Sequence, residues 1–272
     1  MKRSSTRMIL CILVLCMTFT PAAASPTRPS VSWRMENGQR TCYRRGRIYT
    51  GWLKKNGRAY YIRRGHILTS WRRIGGKTFY FNENGVLQKD GITGNIKQGY
   101  GYAGKYGALV RDPRIKAAVR FAVKTTGLKG TRASRLKKCY YALRSFQYYA
   151  NNTTAPSAAK IPGYASFMLQ NRVGDCYNYA AAMAYIARVL GYPARVSFGG
   201  VTAYADHALS AHGLCEVWDD GAWKIIDCSM GRRHTGDNCF MVKRSAYPFR
   251  LRIDKSFRLL IKNQKVTWVL SP

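Results

Sequence analysis

Acidic side chains are scarce in this 272-residue chain. Asp and Glu number 12 against 46 Lys and Arg, a formal net charge of +34. That deficit excludes an electroneutral surface and makes polyanions the natural partners: nucleic acid, anionic lipid headgroups or acidic wall polymers. Metal-ligand spacings are also missing. No C-x-x-C or H-x-x-x-H occurs, so a structural zinc site is not expected, and no motif calls for a metal or cofactor. Long apolar runs are absent too. The run from Met8 to Phe19 is too short to span a bilayer, and no later one is longer or more apolar.

What stands at the N-terminus narrows the partners. Met1-Lys2-Arg3 with Arg7 forms a basic start, the short apolar run follows, and Ala22-Ala23-Ala24 offers a small-residue cleavage site. This pattern predicts a secretory signal peptide over 1–24. Cys16 follows the bulky Leu15, which argues against lipoprotein processing. An exported protein does not ordinarily meet genomic DNA, so nucleic acid is not an expected partner. Of eight cysteines, Cys11 and Cys16 would leave with the signal. If Cys176 is a nucleophile, Cys42, Cys139, Cys215, Cys228 and Cys239 remain. An odd set excludes a complete disulfide framework and leaves room for one or two bridges.

A repeat occupies 25–91. Trp33, Trp52 and Trp71 are each 19 residues apart. Asn37-Gly38, Asn56-Gly57 and Gly75-Gly76 follow at one phase, then Cys42-Tyr43, Tyr60-Tyr61 and Phe79-Tyr80-Phe81, then Gly46, Gly65 and Gly85. Each unit predicts two short strands about a tight turn. A single such hairpin cannot bury its own face, so the units must stack.

The segments GWLKKNGRAYYIRRGHILTSW and GGKTFYFNENGVLQKDG resemble the choline-binding or cell-wall-binding repeats of Gram-positive surface proteins. The resemblance implies a β-hairpin solenoid in which Trp52, Tyr61, Trp71 and Tyr80 could cage a choline group. Two features depart from that pattern. Cys42 stands where Tyr61 and Tyr80 stand in the following units, and basic pairs such as Arg44-Arg45 and Arg63-Arg64 line the repeats. The basic surface favours an anionic polymer such as a teichoic acid over a bare cation.

Residues 92–110, rich in Gly and Tyr, are expected to be a linker or a loose lead-in strand. The region 111–272 then changes character. Asp112-Pro113 predicts a helix start with an acidic N-cap and first-turn proline, and Gly127 its end. A second helix is expected over 131–149, a loop over 151–163, and a third helix from Cys176 to about Leu190, stopped by Gly191-Tyr192-Pro193. Strands are expected at 194–198, 214–218, 223–227, 239–243 and 265–270. Asp219-Asp220-Gly221 supplies a hairpin turn. The fold class is α+β: helices first, then an antiparallel sheet.

Cys176, in Gly174-Asp175-Cys176, falls in the first turn of a predicted helix. Backbone N–H groups and the helix dipole there favour a thiolate and can face a developing oxyanion. A turn at 219–221 sets His212 roughly across from Asp227, on one face of two antiparallel strands. That gives a base with a carboxylate to orient it. His207 is the rival base, but no carboxylate stands at a matching register.

The blocks GDCYNYAAAMAYIARVLGYPARV, HGLCEVW and AWKIIDCS resemble the transglutaminase-like superfamily, with its papain-like core. The resemblance spans about 112–245. It implies Cys176 as nucleophile, His212 as base and Asp227 as orienting carboxylate, and its H-x-x-x-E-V block selects His212 over His207. Cys215 and Cys228, beside His212 and Asp227, depart from the aromatic, apolar or Pro residues usual there. The expected protein is an exported, wall-attached thiol enzyme on protein or peptide amide bonds, hydrolysis being favoured over amine transfer. The competing expectation is a non-enzymatic wall-binding protein on the same fold.

Overall fold

A computed structural model describes residues 31–150, 152, 154–262 and 264–271. The expected signal peptide over 1–24, with Cys11 and Cys16, lies outside them.

The repeats fold as stacked hairpins. In the first unit β1 (Val31–Glu36), β2 (Gln39–Arg44) and the two-residue β3 (Arg47–Ile48) form one antiparallel sheet; β4 (Gly51–Lys55), β5 (Arg58–Arg63) and β6 (His66–Ile67) repeat it. The third unit holds β7 (Ser70–Ile74) and β8 (Lys77–Phe81). The 19-residue period survives as register: Trp33 pairs with Cys42, Trp52 with Tyr61 and Trp71 with Tyr80. Stacking is carried by backbone. The Cys42 N–H donates to the Gly65 carbonyl and the Gly65 N–H to the Tyr49 carbonyl, each at 2.8 Å. Small apolar clusters form between units, Cys42, Leu53 and Ile62 in one and Phe79, Phe81 and Ala108 in another.

Residues 92–110 are not a free linker. β9 (Gly91–Asn95) and β10 (Gly99–Ala103) make a further hairpin. Leu109 donates its N–H to Thr78 in the last repeat at 2.8 Å, while Tyr102 is buried in the core of the following domain. The Gly and Tyr of this stretch carry turns and packing, which composition alone reads as flexibility.

The remaining chain is α+β. α1 (Pro113–Thr126) begins at Asp112, whose side chain accepts the Arg114 and Ile115 amides, and ends at left-handed Gly127. α2 spans Arg132–Arg144 and stops short of the expected 149, because Gln147–Tyr148 leaves as strand β11 to pair in parallel with β12 (Val173–Gly174). Between them lies α3 (Ile161–Asn171), which the sequence reading missed. Pro162 there is a first-turn proline, compatible with a helix start, not loop punctuation.

α4 (Cys176–Val189) is the centre of the domain: every residue but Arg188 is buried. Its five alanines give it a slim, apolar circumference, as a helix surrounded by protein requires. It packs on a sheet ordered β16-β15-β14-β13-β17-β18. The strands are β13 (Ala194–Thr202), β14 (Ser210–Asp219), β15 (Ala222–Ile226), β16 (Phe240–Lys243), β17 (Arg250–Lys262) and β18 (Lys265–Ser271), with the short α5 (Cys228–Arg233) after β15. β17 was not expected. It alternates over Arg250-Leu251-Arg252-Ile253, but the polar run Asp254-Lys255-Ser256 and the apolar run Leu259-Leu260-Ile261 interrupt the period.

Candidate active site

Cys176 opens α4 and is 5% exposed. Its N-cap, Asp175, accepts the amides of Tyr177 and Asn178 on Oδ1, while the Asn178 side chain accepts the Asp175 amide. This reciprocal cap holds the helix start rigidly. A Cβ on Gly174 would stand 2.6 Å from Asn178 Cβ, so glycine is needed for the cap to close. On its other oxygen Asp175 accepts the Asn152 amide at 3.1 Å and the Asn152 side chain at 2.5 Å. The cap also occupies two of the first-turn N–H groups expected to face an oxyanion, and the Tyr179 amide bonds the Asp175 carbonyl. The Cys176 amide is the first-turn donor that neither cap nor helix ladder takes.

His212 comes from β14. The next residue, Gly213, lets α4 lie close against that strand: a Cβ there would meet the Tyr177 ring at 2.6 Å. Close approach places the Cys176 side chain near enough to His212 to raise the imidazole. His212 Nε2 donates to Asp227 Oδ2 across 2.6 Å, which leaves Nδ1 for the thiol. Both residues are buried, His212 at 5% and Asp227 at 1% exposure. Burial alone draws His212 down. The Asp227 charge and hydrogen bond, with the contact to Cys176, overcome it and push His212 up to about 10. Asp227 is lowered in spite of burial, by His212, the Met230 amide and Tyr247.

The expected pairing of His212 with Asp227 has a different local geometry. β15 ends at Ile226, paired with Cys215, so Asp227 sits one residue beyond the strand as the N-cap of α5. By register it lies diagonal to His212, not directly across. Two partners of Asp227 had no motif to announce them. Tyr247 donates its hydroxyl to Oδ2 at 2.7 Å and Ser229 donates to Oδ1 at 3.0 Å. Tyr148 is a third such residue. With His212 and Ser229 it lines a cleft of ≈ 400 Å³. Burial first, then Cys176 and Asp175, push its hydroxyl up to about 12.

His207 is exposed, bonded to Asp206 at 2.9 Å, and lies at the rim of the same cleft. Cys215 and Cys228 are fully buried thiols held well above their usual range by desolvation first and Asp227 among the charges. Glu216, next to Cys215, is wholly buried and accepts from Arg195 at 2.8 Å, Ser197 at 2.5 Å and the Arg244 fork at 2.8 Å. These donors lower its carboxyl against the effect of burial. A second cleft, of ≈ 500 Å³, is lined by Gly174, Asn178, Tyr164 and Lys160.

In the repeats, Trp52 and Tyr61 meet edge to face at 5.2 Å, and Trp71 and Tyr80 lie tilted to each other at 5.0 Å. Trp52 also contacts Phe79 and Phe81, and Tyr80 is 6% exposed. Among the described residues, no group of three or more His, Cys, Asp or Glu side chains is placed to hold a metal, and no helix is long and apolar enough to cross a membrane.

Residues 119–228 match the model of a family described as the Transglutaminase-like superfamily. A Pseudomonas aeruginosa protein-glutamine gamma-glutamyltransferase is 32% identical over 84 residues, 28% of this chain; the match spans 13% of that relative's length. Among solved structures, a candidate cysteine protease from Cytophaga hutchinsonii aligns over 43% of this chain and 37% of its own at 20% identity, TM-score 0.34. A choline-binding domain from Streptococcus pneumoniae aligns over 24% of this chain and 97% of its own at 28% identity, TM-score 0.21.

Proposed function

We propose that this chain, which carries a transglutaminase-like domain over residues 119–228, is an exported, wall-attached thiol enzyme that hydrolyses amide bonds of protein or peptide substrates. The observation that carries this reading is His212 Nε2 bonded to Asp227 at 2.6 Å, with Cys176 at the start of α4 close enough to raise the imidazole.

The chemistry follows from that arrangement. The Cys176 proton passes to His212 Nδ1, and Asp227 stabilises the resulting imidazolium, which accords with the raised His212. The thiolate attacks the amide carbon, and the oxyanion meets the Cys176 amide at the helix start. Tyr148, kept protonated by its raised pKa, is the second donor in reach of the cleft. His212 then protonates the departing amine, leaving an acyl-thioester. Water, deprotonated by His212, attacks the thioester; a carboxylic acid leaves and the thiol is restored.

Hydrolysis is favoured over transfer by the charge of the two clefts. Arg233 lines one and Lys160 the other, and no carboxylate is among the lining side chains of either. Such walls repel the ammonium of a lysine-type acceptor. The basic repeats supply attachment to an anionic wall polymer, a teichoic acid or a choline-bearing one, Trp52, Tyr61, Trp71 and Tyr80 being the aromatic candidates for the latter.

Rapid-quench mass spectrometry with amide-bearing peptides tests the reading. A transient acyl adduct on Cys176, released by hydroxylamine and lost in His212→Ala, is expected. With a primary amine present, product should still be mainly the free acid. Absence of any adduct would leave a non-catalytic wall-binding protein; mainly amine-bearing product would make it a transferase.

A further inference from the structure

The second turn of the first repeat concentrates cations without any balancing acid. Arg45 and Gly46 take left-handed conformations, φ 53° and 74°, and bring Arg44 and Arg47 directly opposite each other across β2 and β3. The next unit repeats the device: Arg64 and Gly65 are left-handed, and Arg63 faces His66. The two turns are neighbours, since Gly65 is hydrogen-bonded to Cys42 and Tyr49 of the first unit. Among the described residues none of these five arginines forms an ion pair. Like charges directly opposite on a sheet destabilise it, so the arrangement calls for a counter-charge from outside the chain.

The local geometry is built to receive one. Arg44 stacks on the Tyr49 ring with its guanidinium carbon 4.0 Å from the centroid. Stacking fixes the plane of the fork and leaves its edge to donate. Arg44 Nε is buried and has no hydrogen-bond partner. Arg44, Arg45, Arg47 and Tyr49 line a cleft of ≈ 640 Å³. Meanwhile the aromatic faces of this unit already carry cations of their own. Arg40 lies over Trp33 at 5.1 Å and Arg34 over Tyr43 at 4.8 Å. A quaternary ammonium arriving there would have to displace a guanidinium.

We infer that the adjacent turns at 44–47 and 63–66 form a binding site for a phosphodiester-linked polyol polymer, with Arg44, Arg45 and Arg47 donating to one phosphate and Arg63 and Arg64 to the next. Phosphate is the anion that matches a planar guanidinium fork at both oxygens. A polymer with phosphates at regular intervals engages both turns together, and each bound phosphate relieves the facing-cation repulsion. This rests on the proposed wall attachment and names the chemistry that provides it.

The test uses the full chain with Cys176→Ala, so that turnover plays no part. Its binding to poly(glycerol phosphate) is titrated across a salt series. Arg44→Gln/Arg47→Gln should weaken binding about tenfold or more, the loss expected from one charge-assisted hydrogen-bond pair, and flatten the salt dependence. Arg45→Gln/Arg64→Gln, at the exposed turn tips, should weaken it without touching the Tyr49 stack. Free choline should not compete. Unchanged affinity in both variants, or release by choline, would overturn the inference. So would equal affinity for duplex DNA or phosphatidylglycerol vesicles, which would mean unspecific attraction. Purified walls separate this from the reading beneath it. Retention on native walls but not on walls stripped of phosphodiester polymers is expected. Equal retention on both would overturn the inference and keep wall attachment, and retention on neither would remove wall attachment itself.

Discussion

The repeat module and the thiol domain handle charge in opposite ways. In the domain, buried charges are matched: Glu216 is met by Arg195, Arg244 and Ser197, and Asp227 by His212, Tyr247, Ser229 and the Met230 amide. In the repeats, like cations face each other across turns, Arg44 with Arg47 and Lys55 with Arg58, and remain at the surface. A matched buried charge fixes geometry, because removing one partner strands the other in a medium that cannot solvate it. An unmatched surface charge fixes nothing internally and is free to serve a ligand. Of the twelve carboxylates of this chain, the three that are buried, Asp175, Glu216 and Asp227, all lie in the thiol domain.

The comparison can be broken most severely at Asp227. Asp227→Asn keeps the shape but loses the charge that supports the imidazolium. Turnover should fall by about 10⁴-fold, the scale of the equivalent change in a serine-protease triad, with the unfolding midpoint moved far less. Next in size is Glu216→Gln, which leaves Arg195 buried beside a neutral amide. Urea unfolding should show a loss of about 3 kcal/mol or more. Arg47→Gln in the repeat should change stability by less than about 0.5 kcal/mol, or raise it.

Acid should act on the domain before the repeats. Asp227 and Glu216 are both lowered from 3.8 and 4.5 in the folded state. Their contribution is present above those values and lost as pH falls through the lowered ones. His212 is raised from 6.5 to about 10, so its contribution is complete below 6.5 and lost as pH rises through about 10. Stability should therefore decline at both ends, and Asp227→Asn should diminish both limbs in a pH series of thermal unfolding. A smaller effect than that of Glu216→Gln is expected from Tyr247→Phe. It removes one of four donors to Asp227 and should cost about 1 kcal/mol of stability, with a modest drop in turnover.

Much of this arrangement is legible in local chemistry. Asp112-Pro113 and Gly127 bound α1 as capping rules require, and the Trp period reappears as cross-strand register. The triad candidates were legible because helix start and hairpin turn are local signals. What could not be read was tertiary. Pro162 looks like a loop until the chain around it is seen to start α3. β17 is a sheet-interior strand whose alternation is broken by Asp254-Lys255-Ser256 and Leu259-Leu260-Ile261. Tyr247 reaches Asp227 from a sequence distance that no spacing rule connects, and Tyr148 comes to lie beside Gly174 only because β11 pairs with β12.

The most direct test of the thiol–imidazole–carboxylate account is the rate of Cys176 alkylation by iodoacetamide, followed by peptide mapping from pH 5 to 9. Cys176 should react at neutral pH far faster than the other described cysteines, and His212→Ala should slow it by about 10²-fold or more. Uniformly slow labelling of all six, unaffected by His212→Ala, would contradict the account.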